Sequence, residues 1–217
     1  MRSFSSFFLA GLQLSPTTNM AANKIVASRT ALFLLDLQVM YAKVDPGFDA
    51  LMAHTASVVK AARSKGITIA HCRVAFTESE VTNVPDTNPT FSQLKHDPSR
   101  AAMFNVNSSE AAFHPAVAPE EGDIVVRKIR VGPFFNAPQD VHAIFKGRGI
   151  DTLLLGGVST GGAVAATVVQ ASDLDYRLFV VEDSCADPNK ETHEFLMKFF
   201  TKRATVINSE ELKTLVK

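Results

Sequence analysis

Residues 153–167 read LLLGGVSTGGAVAAT, and the fold of this chain turns on that stretch. An apolar run enters a Gly-rich turn, and the turn leads straight into AVAAT, the start of a helix. A buried strand that runs through glycines into a helix is the repeating unit of an α/β sheet. In such folds the turn is where a nucleophile or an anion sits. The helix entrance here carries only Ser159, Thr160, Gly161, Gly162 and Ala163. Three uses are open at this point: an active site with no cysteine, a phosphate cradle, or the remnant of a site.

Five more short apolar segments flank this one, at 30–36 (TALFLLD), 67–72 (ITIAHC), 123–128 (DIVVRK), 177–183 (RLFVVED) and 204–208 (ATVIN). Most are near-continuous rather than alternating, as strands covered on both faces are. Helical stretches separate most of them. Residues 48–66 place Leu51, Val58, Val59 and Ala62 on one face and stop at Lys65 and Gly66. Pro138 and Pro188 stand near the starts of two more, and Thr160 and Ser209 are the expected caps of the remaining two. Repeated strand–helix units predict right-handed crossovers and a parallel sheet. The exception is residues 73–122, with Pro85, Pro89, Pro98, Pro115 and Pro119, many Asn and Ser, and little periodicity. An excursion of that length between strands predicts a functional loop or lid.

The 217 residues suffice for one domain with a continuous core. Hydrophobic residues make up 46% and charged residues 20%, and 22 Lys+Arg balance 22 Asp+Glu. With no basic stripe, nucleic acid is not an expected partner. No apolar run approaches the roughly 20 residues of a membrane helix. Cys72 and Cys185 form no CxxC pair and read as reduced, buried structural residues. Residues 1–27 stand apart, acid-poor and rich in Ser, Thr and apolar residues, with Met20 as an alternative start. They read as a leader: a transit peptide, a signal peptide with FFLAGLQL as its apolar part, or a disordered segment. A mitochondrial or cytoplasmic location is favoured, with secretion still open. The folded domain is expected over 28–217.

In open parallel sheets ligands bind beyond the carboxyl ends of the strands. The first segment delivers Asp36 there, after four apolar residues, and the third delivers Lys128. A carboxylate emerging from the centre of a sheet is costly unless paired or hydrogen-bonded. Each residue alone has an ordinary use, as a loop cap or a surface lysine. Together at neighbouring strand ends they make coupled proton-transfer groups and an anion anchor.

The series ALFLLDLQ, VVRK followed by Phe134 and Phe135, and GGVSTGGAV…ASDLDYRLFVVEDSCAD resembles the isochorismatase-like hydrolase superfamily across about residues 29 to 208. The resemblance implies an α/β fold: a three-layer α/β/α arrangement around a six-stranded parallel sheet in Rossmann-like order. It also implies a catalytic set of Asp, Lys and usually Cys, met here by Asp36, Lys128 and, in place of the cysteine, Ala163. A cis peptide bond is implied at Val158–Ser159. Gln38 fits a DxQ pattern and would orient the site. Phe134, Val158, Ser159 and Gly162 are implied to contact substrate, with Arg73 and Phe76 suiting an anionic, partly apolar one. Homo-oligomers are usual among such proteins.

Ala163 is the departure with consequences. Members that cleave amides, such as nicotinamidases and N-carbamoyl amidases, attack with a thiolate, and a methyl group can form no acyl intermediate. Isochorismatases proper hydrolyse a vinyl ether and resemble the family without needing the thiol. In that reading Asp36 is the acid, Lys128 holds a substrate carboxylate, and amides around residues 161–163 offer an anion site. Metal-binding relatives carry Asp-x-His after the second strand; this chain reads HCRVAF there, and no metal is expected. No G-x-G-x-x-G follows the first strand, so no dinucleotide cofactor is expected either. Three readings stand: a thiol-free hydrolase of a small carboxylate or enol ether, an amidase inactive through Ala163, and a binding protein that kept the fold.

Overall fold

A computed structural model describes residues 24–43 and 47–215. Most of the leader assigned above lies outside the described residues. Packed structure begins earlier than Ser28: Ile25 is fully buried and its amide donates to the carbonyl of Leu215 at 2.9 Å. The six apolar segments are six strands, β1 (Thr30–Leu35), β2 (Thr68–Val74), β3 (Ile124–Lys128), β4 (Thr152–Val158), β5 (Arg177–Ala186) and β6 (Thr205–Ile207). All pair in parallel in one sheet of order β3-β2-β1-β4-β5-β6, the Rossmann-like order.

Among the described residues eight α-helices accompany the strands: α1 (Val39–Ala42), α2 (Phe48–Ser64), α3 (Glu78–Thr82), α4 (Pro98–Met103), α5 (Val141–Gly147), α6 (Ala165–Asp173), α7 (Lys190–Phe200) and α8 (Ser209–Leu215). Every residue of β1 is buried, because its side chains alternate between two cores. Ala31, Phe33 and Leu35 pack with Phe145, Val168 and Phe200, from α5, α6 and α7. Leu32 and Leu34 pack on the other face with Phe48, Met52 and Leu212, from α2 and α8.

Several helix starts differ from expectation, in most cases because another polar side chain does the capping. Asn189 caps α7 by accepting from the Thr192 amide, and Asp140 caps α5 by accepting from Ala143. Asn208 accepts from the Glu211 amide, while Ser209 turns its hydroxyl to Asp183 at 2.6 Å. Thr160 is not a cap. It opens a π-helical turn, Thr160–Val164, that precedes α6, and its hydroxyl lies 2.9 Å from His193 Nδ1. The excursion at 73–122 is more regular than its composition suggested. Thr77 and Glu80 form a reciprocal capping box on α3, and Asp97 with Pro98 opens α4.

β2 is tied to α2 and to the turn before β3 by a buried ionic cluster. Asp123 accepts from Arg63 Nη1 and Nη2 at 2.7 and 2.9 Å, and His71 Nε2 lies 3.1 Å from the same carboxylate. Burial holds the His71 imidazole below its ordinary value. Burial alone would raise Asp123, but hydrogen bonds from Arg63, the Glu120 amide and His71 outweigh it and leave the carboxyl below its usual range. Both groups therefore bind fewer protons folded than unfolded. Their contribution to stability is present above the unfolded values and is lost as pH falls through the folded ones. Urea midpoints should decline once pH drops below the ordinary imidazole value of 6.5, and again in the carboxylate range. Replacing His71, whose ring lies against Phe113, by Phe should flatten the first decline and lessen the second, because Asp123 loses one of its donors; an unchanged profile would refute the assignment.

Candidate active site

In the order β3-β2-β1-β4-β5-β6 the chain reverses direction across the sheet between β1 and β4, and ligands bind at such a switch point. Asp36 leaves β1 there with φ 55°, a left-handed conformation that Asp tolerates better than most residues. Its amide donates to the Cys72 carbonyl at 2.8 Å and its carbonyl accepts from the Gln38 amide at 2.8 Å. Both bonds hold the side chain at the mouth of the sheet. From β4, Gly157 brings the backbone past β1 at φ 142°, where a Cβ would lie 2.2 Å from the Leu35 carbonyl oxygen. The following Val158–Ser159 peptide is cis.

Lys128 ends β3, two strands away from β1 and so about 9–10 Å from it. Its four-carbon stem crosses β2, and Nζ reaches Asp36 Oδ2 at 2.7 Å. The two side chains are almost completely buried. Nζ also donates to the Val131 carbonyl at 2.6 Å. Asp36 Oδ1 is buried and has no hydrogen-bond partner among the described residues. Burial pushes the Asp36 carboxyl above its ordinary range, and the opposing pull of Lys128 does not cancel it. Burial, reinforced by the Asp36 charge, also pushes the nearby Tyr41 phenol up.

A cavity of about 190 Å³ opens on this pair. Of the residues singled out in the sequence, Asp36, Lys128, Val158, Ser159, Gly162 and Ala163 line it. Four others do not. Gln38 is a fully buried brace: its Nε2 donates to the carbonyls of Val74 and Ala111 at 3.1 and 2.9 Å, and its Oε1 accepts from the Val74 amide at 3.0 Å. Arg73 donates to the carbonyls of Ala111 and Val106. Phe76 packs with Phe91 and Phe104, and Phe134 lies among Phe33, Phe145 and Tyr176.

The sequence reading missed the outer wall. Tyr41 comes from α1, and Thr90, Phe91, Arg100 and Phe104 come from the 73–122 excursion. Arg100 forms no ion pair with another described residue, whereas Lys128 already holds two partners. The anion site expected at 161–163 is also reduced. The Gly161 amide donates to Asp187 Oδ2 at 2.7 Å and the Gly162 amide to the Ser159 carbonyl at 3.0 Å. Cys72 and Cys185 are free and buried, and burial pushes their thiols up, Cys185 to about 12. Among the described residues no three His, Cys, Asp or Glu side chains are grouped to hold a metal ion, and no helix is long and apolar enough to cross a membrane.

A parallel sheet that presents a buried carboxylate and ammonium at its switch point, under a cavity closed by one long excursion, defines a small-molecule enzyme of the open α/β class. The sequence profile of the isochorismatase domain matches residues 30–211, and the chain belongs to that family, whose proteins are hydrolases. It is 29% identical over 153 residues to the maleamate amidohydrolase of Pseudomonas putida, covering 69% of this chain and 66% of that one. It is 26% identical over 203 residues to the ureidoacrylate amidohydrolase RutB of Azorhizobium caulinodans, covering 86% and 85%. Among solved structures it superposes on an isochorismatase family protein from Desulfovibrio vulgaris with a TM-score of 0.74 at 21% identity, covering 86% and 97%.

Proposed function

We propose that this protein hydrolyses a small carboxylate of the enol-ether type by acid–base chemistry, with no covalent intermediate. The observation that carries this reading is the pairing of Ala163 with Asp36 in one cavity: a methyl where the amide-cleaving relatives need a thiol, beside a carboxyl whose hold on its proton burial strengthens. Asp36 gives its proton to the terminal enol carbon. Water adds to the cation that results and returns a proton to Asp36, and the hemiketal breaks into an alcohol and an α-keto acid. Lys128 holds Asp36 in place and stabilises the carboxylate left after proton transfer. The substrate carboxylate falls to Arg100 rather than to Lys128, because Arg100 lines the cavity and has no ion-pair partner among the described residues.

Purified protein should release pyruvate from isochorismate or a related enol ether, and Asp36→Ala should lower kcat/KM by about 10²–10⁴-fold. The protonated form does the work, so the rate should fall as pH rises through the folded value of Asp36, which lies above 3.8. No turnover of any enol ether would remove this reading. A second reading, a pocket shaped for amides but unable to cleave them, is favoured by the names of the two amidohydrolases above. A third, binding without turnover, would show as a ligand that raises Tm and is not consumed.

A further inference from the structure

A second cavity, of about 180 Å³, adjoins the first and shares three of its walls, Tyr41, Val158 and Ser159. Its far side is Phe48, Ala186 and Pro188. Phe48 and Val158 are buried core residues, and the Tyr41 and Phe48 rings face each other at 6.2 Å. Among the described residues the one charged group in its wall is Asp187, whose Oδ2 accepts from the Gly161 amide and Oδ1 from the Asn189 amide at 3.1 Å. The described wall is otherwise mostly apolar. An apolar cavity of about 150 Å³ is enough to take up a benzene molecule.

We propose that this niche is a second compartment of the catalytic site, and that it receives an apolar substituent, about as large as a phenyl ring, carried by the substrate carboxylate. Tyr41 is the partition. The acid lies at the Arg100 end, the reacting atoms lie over Asp36, and the apolar group lies between Phe48 and Pro188. The two cavities lie side by side with three wall residues in common, which supports a single ligand rather than two. Ala186, at the end of β5, sets the depth of the niche. The inference rests on the carboxylate reading above.

The test uses the full chain and two probes, propionate and 3-phenylpropionate, titrated by NMR or calorimetry. The phenyl acid should bind at least about tenfold more tightly than propionate. In Ala186→Leu that ratio should fall to near one, and in the milder Ala186→Val part of the way, which keeps the test alive should the leucine variant fail to fold. Arg100→Gln should weaken both acids and preserve the ratio. Equal binding of the two acids, a ratio indifferent to residue 186, or no binding of either acid would overturn the proposal. Enol-ether turnover is measured separately: its absence with the ratio intact removes the hydrolytic reading and leaves the niche standing.

Discussion

Lys128→Ala lowers the free energy of unfolding at neutral pH by about 3–5 kcal/mol, because it strands a buried carboxyl without its counter-charge. The loss has two parts that separate experimentally. Truncating a fully buried four-carbon stem leaves a void, which Lys128→Met largely refills. The electrostatic part remains in the methionine variant and depends on pH. Without Lys128 pulling it down, the Asp36 carboxyl rises further above its ordinary range. A raised carboxyl stabilises the fold below its unfolded value and loses that contribution as pH rises through the folded one, so the methionine variant should regain stability on acidification. Adding Asp36→Asn should restore most of the stability at pH 7 and none of the activity. Urea unfolding of the three variants at two pH values gives the result. A methionine variant as stable as the parent at pH 7 would mean that the pair is not held as described.

Ala163→Cys gives the protein amidase activity. Residue 163 is buried in the wall of the cavity that Asp36 and Lys128 also line, so a thiol there would share that cavity with a carboxyl and an ammonium group. A thiolate can attack an amide carbonyl where a methyl cannot, and ammonia release from maleamate should rise by at least about 10²-fold over the parent chain. Iodoacetamide should abolish the gain, and Ala163→Ser should show little of it. Well-folded protein with no amidase activity would mean that Ala163 does not stand in the nucleophile's place.

Much of this architecture was legible in the residues. The six apolar segments are the six strands to within a few residues, since continuous burial on two faces leaves a simple signature. Asp36 stood out because it follows four apolar residues and would be costly alone, and Lys128 because it ends another strand with the opposite charge. What could not be read was anything that depends on distant segments meeting. Gln38 is a brace because its carbonyl partners, Val74 and Ala111, lie 36 and 73 residues along the chain. Arg100 belongs to a short helix that Asp97 and Pro98 announce, but nothing local says that this helix faces the sheet. Phe76 and Arg73 were placed in the site by their nearness to β2. Packing with Phe91 and Phe104, and bonds to the Val106 and Ala111 carbonyls, place them elsewhere.

The floor and the outer wall of the cavity come from different places. The strand ends and the turn after β4 supply Asp36, Lys128 and Ala163, while the excursion between β2 and β3 supplies Thr90, Phe91, Arg100 and Phe104, and α1 adds Tyr41. Under the proposed function, reactivity and selectivity fall on separate stretches of polypeptide, one embedded in the core and one anchored outside it. A graft of residues 84–110 from a relative that keeps the Val106 and Glu110 carbonyls, which bond Arg73 and the Met40 amide, should change which compounds bind while Asp36 and Lys128 stay where they are.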